Sequence, residues 1–218
     1  MKYTTIIWDL DGTLMDTLQD LWLSVNHALR TYRMPERTYE EVRMFVGNGV
    51  RKLMERAVPD GEANPQFGDV FDEFKRHYMQ HCKDNTGLYP GISETLKTLK
   101  AQGIRMAIVS NKLQAGVTEL HHEWFADTIE VAIGEREGIK RKPAPDMVET
   151  ALRELGVEKE NAVYVGDSDV DLATALNSGL PCISVLWGFR DRRFLEQHGA
   201  TCFAEKPEDI ITITNKIN

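Results

Sequence analysis

Two carboxylates stand together near the start of the chain, in Asp9-Leu10-Asp11-Gly12-Thr13-Leu14, directly after the apolar run Ile6-Ile7-Trp8. If the run is a strand, side chains at i and i+2 point to the same side, so Asp9 and Asp11 converge on one small volume. Like charges that close repel unless a cation joins them or one takes a proton. Such a pair suits a hard divalent metal, a nucleophile beside an acid/base, or both. The competing reading is an Asp-Gly hairpin turn. Further along, Ser110-Asn111, Lys142, and Gly166-Asp167-Ser168 with Asp171 add hydroxyl, amide, ammonium and carboxylate groups.

The elements that must position these groups follow from periodicity. Leu18, Leu21, Trp22, Val25, Ala28, Leu29 and Tyr32 form one helical stripe. Thr38 and Glu41 have capping-box spacing for a short helix to Phe45, Gly47-Asn48-Gly49 interrupts, and a helix spans 50–58. Pro59-Asp60-Gly61 is a turn, and Val70, Phe71, Phe74, Tyr78, His81 and Cys82 give a fourth helical stripe. From Leu88 strands and helices alternate. Strands are expected at 104–109, 128–133, 162–165, 181–186 and near 201–203, with helices ending near Gly103 and His122, over 144–155, from Val170 to Gly179, and at the C-terminus. Alternating units imply a mainly parallel sheet covered on both faces. The first strand belongs with them, so the expected architecture is a Rossmann-like α/β core, 1–16 and 87–218, carrying an inserted α-helical domain, 17–86. Ligands in such sheets lie beyond the carboxyl ends of the strands, where the candidate residues fall.

Composition narrows the partners. The 218 residues are 42% hydrophobic and 28% charged, as expected of a globular protein. No membrane span and no signal peptide are visible, and Cys82, Cys182 and Cys202 form no CxxC pair, so a cytoplasmic protein with reduced thiols is expected. A net charge of −8 argues against nucleic acid. An anionic small substrate must therefore find positive charge locally, from Lys142, from backbone amides, or from Mg²⁺ held by the carboxylates. That equipment suits phosphoryl chemistry.

The pattern resembles the haloacid dehalogenase (HAD) superfamily of phosphohydrolases. Its motifs match in order: Asp9-x-Asp11-Gly12-Thr13-Leu14-x-Asp16, Ser110-Asn111, Lys142-Pro143-x-Pro145-Asp146, and Gly166-Asp167-Ser168-x-x-Asp171. The inserted helices resemble the family's α-helical cap. The resemblance implies Asp9 as nucleophile through an aspartyl phosphate and Asp11 as general acid/base. It implies Mg²⁺ on Asp9, the Asp11 carbonyl and Asp167, with Asp171 orienting a metal-bound water. Ser110 and the Asn111 amide would bind phosphoryl oxygens, Lys142 would link nucleophile and phosphoryl group, and Thr13 would buttress the loop. Plain structural readings compete: Ser110-Asn111 as a helix cap, Asp171 as a first-turn helix acid. Thr17 and Trp8 depart from the commoner Ser and Phe without touching the proposed chemistry.

Asp11 excludes the relatives that cleave carbon–halogen or carbon–phosphorus bonds. Two further stretches look like phosphoglycolate phosphatases: Phe45-Val46-Gly47-Asn48-Gly49-Val50-Arg51-Lys52-Leu53 and Trp187-Gly188-Phe189-Arg190. The glycines would let amides approach an anion, and Arg51 would pair with a substrate carboxylate. The expected protein is a Mg²⁺-dependent phosphomonoesterase, monomer or homodimer, acting on a small phosphorylated metabolite most like phosphoglycolate. A β-phosphoglucomutase-like sugar phosphomutase, a pyrophosphatase of the same family and a pocket-bearing regulatory protein are the alternatives. His77 and His81 have metal-ligand spacing but no third ligand is evident, so they read as a half-buried helix face. A lid hinged near 16–18 and 85–89 is expected.

Overall fold

The computed structural model describes residues 3–216. The chain divides into two compact units: residues up to Leu14 together with those from Leu88 onward, and Met15–Gly87.

The first unit is built on strands β1 (Thr5–Trp8), β4 (Arg105–Leu113), β5 (Val131–Glu135), β6 (Ala162–Gly166), β7 (Cys182–Val185) and β8 (Phe203–Ala204). The two short strands β2 (Met15–Asp16) and β3 (Gly87–Leu88) form a separate pair. The large sheet runs β5-β4-β1-β6-β7-β8, and every registered pair is parallel. Its middle strands read Thr-Ile-Ile-Trp and Ala-Val-Tyr-Val-Gly and are buried throughout, as a sheet covered on both faces requires. Burying each of Ile6 and Ile7 contributes about 1.5–3 kcal/mol. Helices α5 (Ile92–Ala101), α6 (Gln114–Leu120), α7 (Asp146–Leu155), α8 (Asp169–Ser178), α9 (Arg192–Gln197) and α10 (Pro207–Lys216) complete the unit. Their ends follow local rules: α7 and α8 stop at Gly156 and Gly179, both left-handed (φ 65° and 70°).

The strand order places the site. From β1 the sheet grows toward β4 on one side and β6 on the other, so the crevice of a doubly wound sheet opens above these three strands. The register aligns Trp8 with Ile108 and with Val165, which sets Asp9, the Ser110 region and Asp167 at one edge of the sheet.

Three departures from the sequence expectation have local causes. Strand β4 continues through Ser110-Asn111 to Leu113 after a register irregularity, rather than ending at Val109. The Gln114 side chain holds the extension, donating to the Ala132 carbonyl at 3.1 Å and accepting from Gly134 N at 2.8 Å. Strand β5 starts at Val131, later than expected, because Thr128 and Ile129 both turn back onto the Phe125 carbonyl. Helix α9 was not anticipated; Asp191 caps it by accepting from Phe194 N at 2.8 Å.

The second unit contains α1 (Leu18–Thr31), α2 (Tyr39–Phe45), α3 (Val50–Ala57) and α4 (Phe67–His81). Thr38 and Glu41 form the expected capping box on α2. Helices α1 and α4 pack together, and the expected apolar stripes, Leu21, Val25, Ala28 and Leu29 on one and Val70, Phe74 and Tyr78 on the other, are buried. Asp20 is also buried and receives the N–H and hydroxyl of Thr86 and the N–H and amide of Asn85 at 2.8–3.1 Å. Residues 85 and 86, at one expected hinge, are thus tied to α1. Among the described residues no helix is long and apolar enough to cross a membrane.

Candidate active site

Strand β1 ends at Trp8, so the alternation expected to pair Asp9 with Asp11 does not extend to them. Asp9 turns inward: its N–H bonds the Val165 carbonyl at 2.9 Å, and its carboxylate joins those of Asp167 and Asp171, with one oxygen from each of the three within 4.8 Å of the others. Asp11 is more exposed and has different partners. Ser110 Oγ donates to its Oδ2 at 3.5 Å and Lys112 Nζ to its Oδ1 at 3.3 Å. The structure therefore assembles two carboxylate environments, a buried one around Asp9 and an accessible one around Asp11.

Lys142 anchors the buried group. Its Nζ donates to Asp9 Oδ1 at 2.6 Å, to Asp171 Oδ1 at 2.8 Å and to Tyr164 Oη at 3.1 Å. Its backbone is held by the Asn111 side chain, which accepts from Lys142 N at 2.8 Å and donates to Lys142 O at 3.1 Å. The Asn111 side chain therefore fixes the Lys142 backbone, whereas the sequence expectation assigned the anion contact to the Asn111 backbone N–H.

Asp171 combines two roles. As the third residue of α8 it completes a capping box with Ser168, whose Oγ donates to Oδ2 at 2.6 Å. Its other oxygen meets Lys142 and Tyr164 Oη, the latter at 3.0 Å. Asp171 thus orients Lys142 and the Gly166-Asp167-Ser168 turn. Asp167, at the end of β6, accepts from Thr13 Oγ1 at 3.4 Å and from Phe189 N at 2.6 Å.

Charge in this pocket is unbalanced: three buried carboxylates face one buried ammonium, leaving two negative charges if all are ionised. Burial, then repulsion from Asp171 and Asp167, holds the Asp9 carboxyl well above its ordinary value, although Lys142 opposes this. Burial and the Asp171 charge push Asp167 up to about 7. Burial would also raise Asp171, but the Lys142 charge and the bonds from Lys142, Ser168 and Tyr164 overcome it and hold Asp171 low. Burial would depress Lys142, yet Asp171 and Asp9 keep it well above the usual ammonium range. A clustered oxygen-donor set with excess negative charge fits a hard divalent cation such as Mg²⁺.

The family model described as haloacid dehalogenase-like hydrolase matches residues 6–185, from within β1 to the end of β7, which takes in every residue of the site above except Phe189. The chain belongs to the haloacid dehalogenase-like hydrolases. It is 33% identical over 189 residues to the phosphoglycolate phosphatase of Aquifex aeolicus, covering 84% of this chain and 85% of the relative. It is 35% identical over 190 residues to the phosphoglycolate phosphatase of Rhodobacter capsulatus, with 85% of each covered. A solved structure from Lactobacillus delbrueckii subsp. bulgaricus, a candidate phosphoglycolate phosphatase, superposes with a TM-score of 0.94 at 35% identity over 98% of this chain and 99% of that one.

In this haloacid dehalogenase-like hydrolase, expected residues of both carboxylate environments lie in the first unit, Asp9, Thr13, Asn111, Lys142, Asp167 and Asp171 in the buried group and Asp11 with Ser110 in the accessible one. The other expected residues, Gly47, Asn48, Gly49 and Arg51, lie in the second. There Gly47 and Gly49 have positive φ (121° and 83°), Gly49 precedes α3, and Asn48 Oδ1 accepts from Arg56 at 2.8 Å. Arg51 pairs with Glu62 at 2.7 Å and lies over the rings of Phe67 and Phe71. Lys112 and Tyr164 were missed, and so was the bond from Ser168 to Asp171. Ser168-x-x-Asp171 was legible as a capping box. Lys112 was not, because Ser110-Asn111 was read as the strand's end. Tyr164 was taken as core.

Proposed function

We propose that this hydrolase is a Mg²⁺-dependent phosphomonoesterase acting through an aspartyl phosphate on Asp9, with phosphoglycolate or a close analogue as substrate. The carrying observation is Asp9 itself: a buried carboxylate held at 2.6 Å by Lys142 beside Asp167, with a second, accessible carboxylate at Asp11. Lys142 fixes one Asp9 oxygen, so the other is the attacking atom. Attack on phosphorus forms the Asp9–phosphorus bond and breaks the bond to the substrate oxygen, which Asp11 protonates. Asp11 then takes a proton from water as it attacks phosphorus, releasing phosphate and restoring Asp9. Ser110 Oγ and the Asn111 N–H would hold phosphoryl oxygens. The carboxylates of Asp9 and Asp167 and the carbonyl of Asp11 would hold Mg²⁺, which supplies charge neutralisation between nucleophile and phosphoryl group. The named relatives support the substrate class, and a cytoplasmic setting agrees with Cys82, Cys182 and Cys202 forming no disulfide among the described residues.

Phosphate release measured with Mg²⁺ and with chelator, across phosphoglycolate, hexose phosphates, nucleotides and pyrophosphate, tests the proposal. Metal-dependent preference for phosphoglycolate that disappears in Asp9→Asn is expected. Turnover retained in Asp9→Asn would remove the nucleophile.

A further inference from the structure

We propose that the 187–190 loop after β7 is a positioning clamp for Asp167, setting this protein's affinity for its divalent cation. The inference rests on the reading of Asp167 as a metal ligand.

The contacts close a ring. Phe189 N donates to Asp167 Oδ2 at 2.6 Å, while Thr13 Oγ1 reaches Oδ1 at 3.4 Å. Trp187 Nε1 donates to the Thr13 carbonyl at 2.9 Å, so the same loop that grips Asp167 also grips the segment following Asp11. Beyond Phe189, the buried Arg190 lies 3.8 Å from Asp169 Oδ1 at the start of α8 and stacks on Phe194. The loop is thus tied at Thr13, at Asp167 and at the first residue of α8.

Close approach makes the arrangement specific to its glycines. A Cβ on Gly188 would lie 2.4 Å from Asp167 Cβ and 2.4 Å from the Gly12 carbonyl oxygen. A Cβ on Gly12 would lie 2.5 Å from Asp167 Oδ2 and 2.8 Å from the Phe189 ring, and φ of +92° there strains any other residue. Gly12, Asp167 and Gly188 therefore form one layer with no slack. The carboxylate can turn only if the loop moves. Each Asp167 oxygen accepts one of these bonds and retains lone-pair capacity for the cluster with Asp9. Partners that orient a metal ligand typically change affinity 10–100-fold when lost.

Mg²⁺ binding by calorimetry is the test, on the full chain, for Trp187→Phe, Gly188→Ala and the control Asp167→Asn, with thermal unfolding in chelator alongside. Trp187→Phe removes the bond to Thr13 and keeps the ring. It should weaken Mg²⁺ binding by about threefold to tenfold, with unchanged metal-free melting and with kcat recovered at saturating Mg²⁺. Gly188→Ala should weaken binding by about tenfold or more. Wild-type Mg²⁺ affinity in folded Trp187→Phe overturns the clamp, whether or not Gly188→Ala folds. Wild-type affinity in Asp167→Asn overturns instead the metal-ligand reading on which the clamp rests.

Discussion

Asp171 holds Lys142 against Asp9: a single ammonium lies 2.8 Å from the first carboxylate and 2.6 Å from the second, and all three side chains are buried. The helix cap thereby becomes part of the site. Asp171 cannot relax toward solvent without giving up its bonds to Ser168 and the turn at Asp167, so the lysine inherits the rigidity of α8.

Lys142→Met should expose how much of the fold depends on that cation. Breaking a buried ion pair from one side costs about 3–5 kcal/mol, because the partner charge stays uncompensated. Here three carboxylates would remain, and the loss should be largest near pH 7.5 and smaller near pH 5, where Asp9 and Asp167 more readily take protons. Urea unfolding in chelator at both pH values measures it. Equal destabilisation at the two would show that lost packing, rather than charge, is responsible.

Metal and protons should compete for Asp167. Its carboxyl titrates near 7 in the folded chain and near 4 when unfolded, so the metal-free fold favours the protonated form. The stability this group contributes is complete below about pH 4 and is lost as pH rises through about 7. On the proposed Mg²⁺ dependence, the cation should bind the ionised form and restore that stability. At a hundredfold excess over its Kd, Mg²⁺ stabilises by about 2.7 kcal/mol, an upward shift of about 5–10 °C for a chain this size. That shift should shrink from pH 7.5 to 5.5 and vanish in Asp167→Asn. A pH-independent shift would place the cation elsewhere.

A second pH response belongs to the helical unit. His77 stacks between His27 and His81, with ring centroids 4.0 and 4.3 Å away, and shares a 3.0 Å hydrogen bond with Ser24. Asp20 and Arg30 from α1, Glu73 and Arg76 from α4, and Asp84 beyond it complete the charged surroundings. Burial, then the neighbouring imidazoles, lowers the His77 pKa, so folding favours the neutral ring. Its contribution is present above about pH 6.5 and is lost as pH falls below that. The pair Glu73–His27 at 2.7 Å persists further down, since the hydrogen bond from Arg76, more than that from His27, holds Glu73 down to about 2. His77→Gln should flatten the fall in melting temperature between pH 6.5 and 5. An unchanged slope would assign the response to another group.

The fold was legible because buried parallel strands and amphipathic helices carry unlike periods; Asp9 and Asp167 stood out just past strand ends, and Asp171 in the first turn of the helix that follows. What stayed hidden depended on contacts distant in sequence. The β4 extension depends on Gln114 reaching Ala132 and Gly134, and only that extension brings Lys112 to Asp11. The role of Asn111 in fixing Lys142 spans 31 residues. The third imidazole beside His77 and His81 comes from α1, 50 residues before His77, and packing alone supplies it.

Arg51 decides how far the substrate reading extends. It pairs with Glu62 at 2.7 Å, both side chains about half exposed, so the pair is worth only about 0.2–1 kcal/mol and a competing carboxylate can displace it at little cost. A charge-assisted contact to a substrate carboxylate is worth about 1.5–3 kcal/mol, a factor of roughly ten to a hundred in affinity. Arg51→Gln should therefore raise KM for phosphoglycolate by about tenfold with little change in kcat, and leave KM for a phosphomonoester of an uncharged alcohol unaltered. Glu62→Gln should lower KM for phosphoglycolate slightly, by freeing the guanidinium. Parallel loss with both substrates in Arg51→Gln would mean that the guanidinium serves the packing of Phe67 and Phe71, and the carboxylate would have to be recognised by another group.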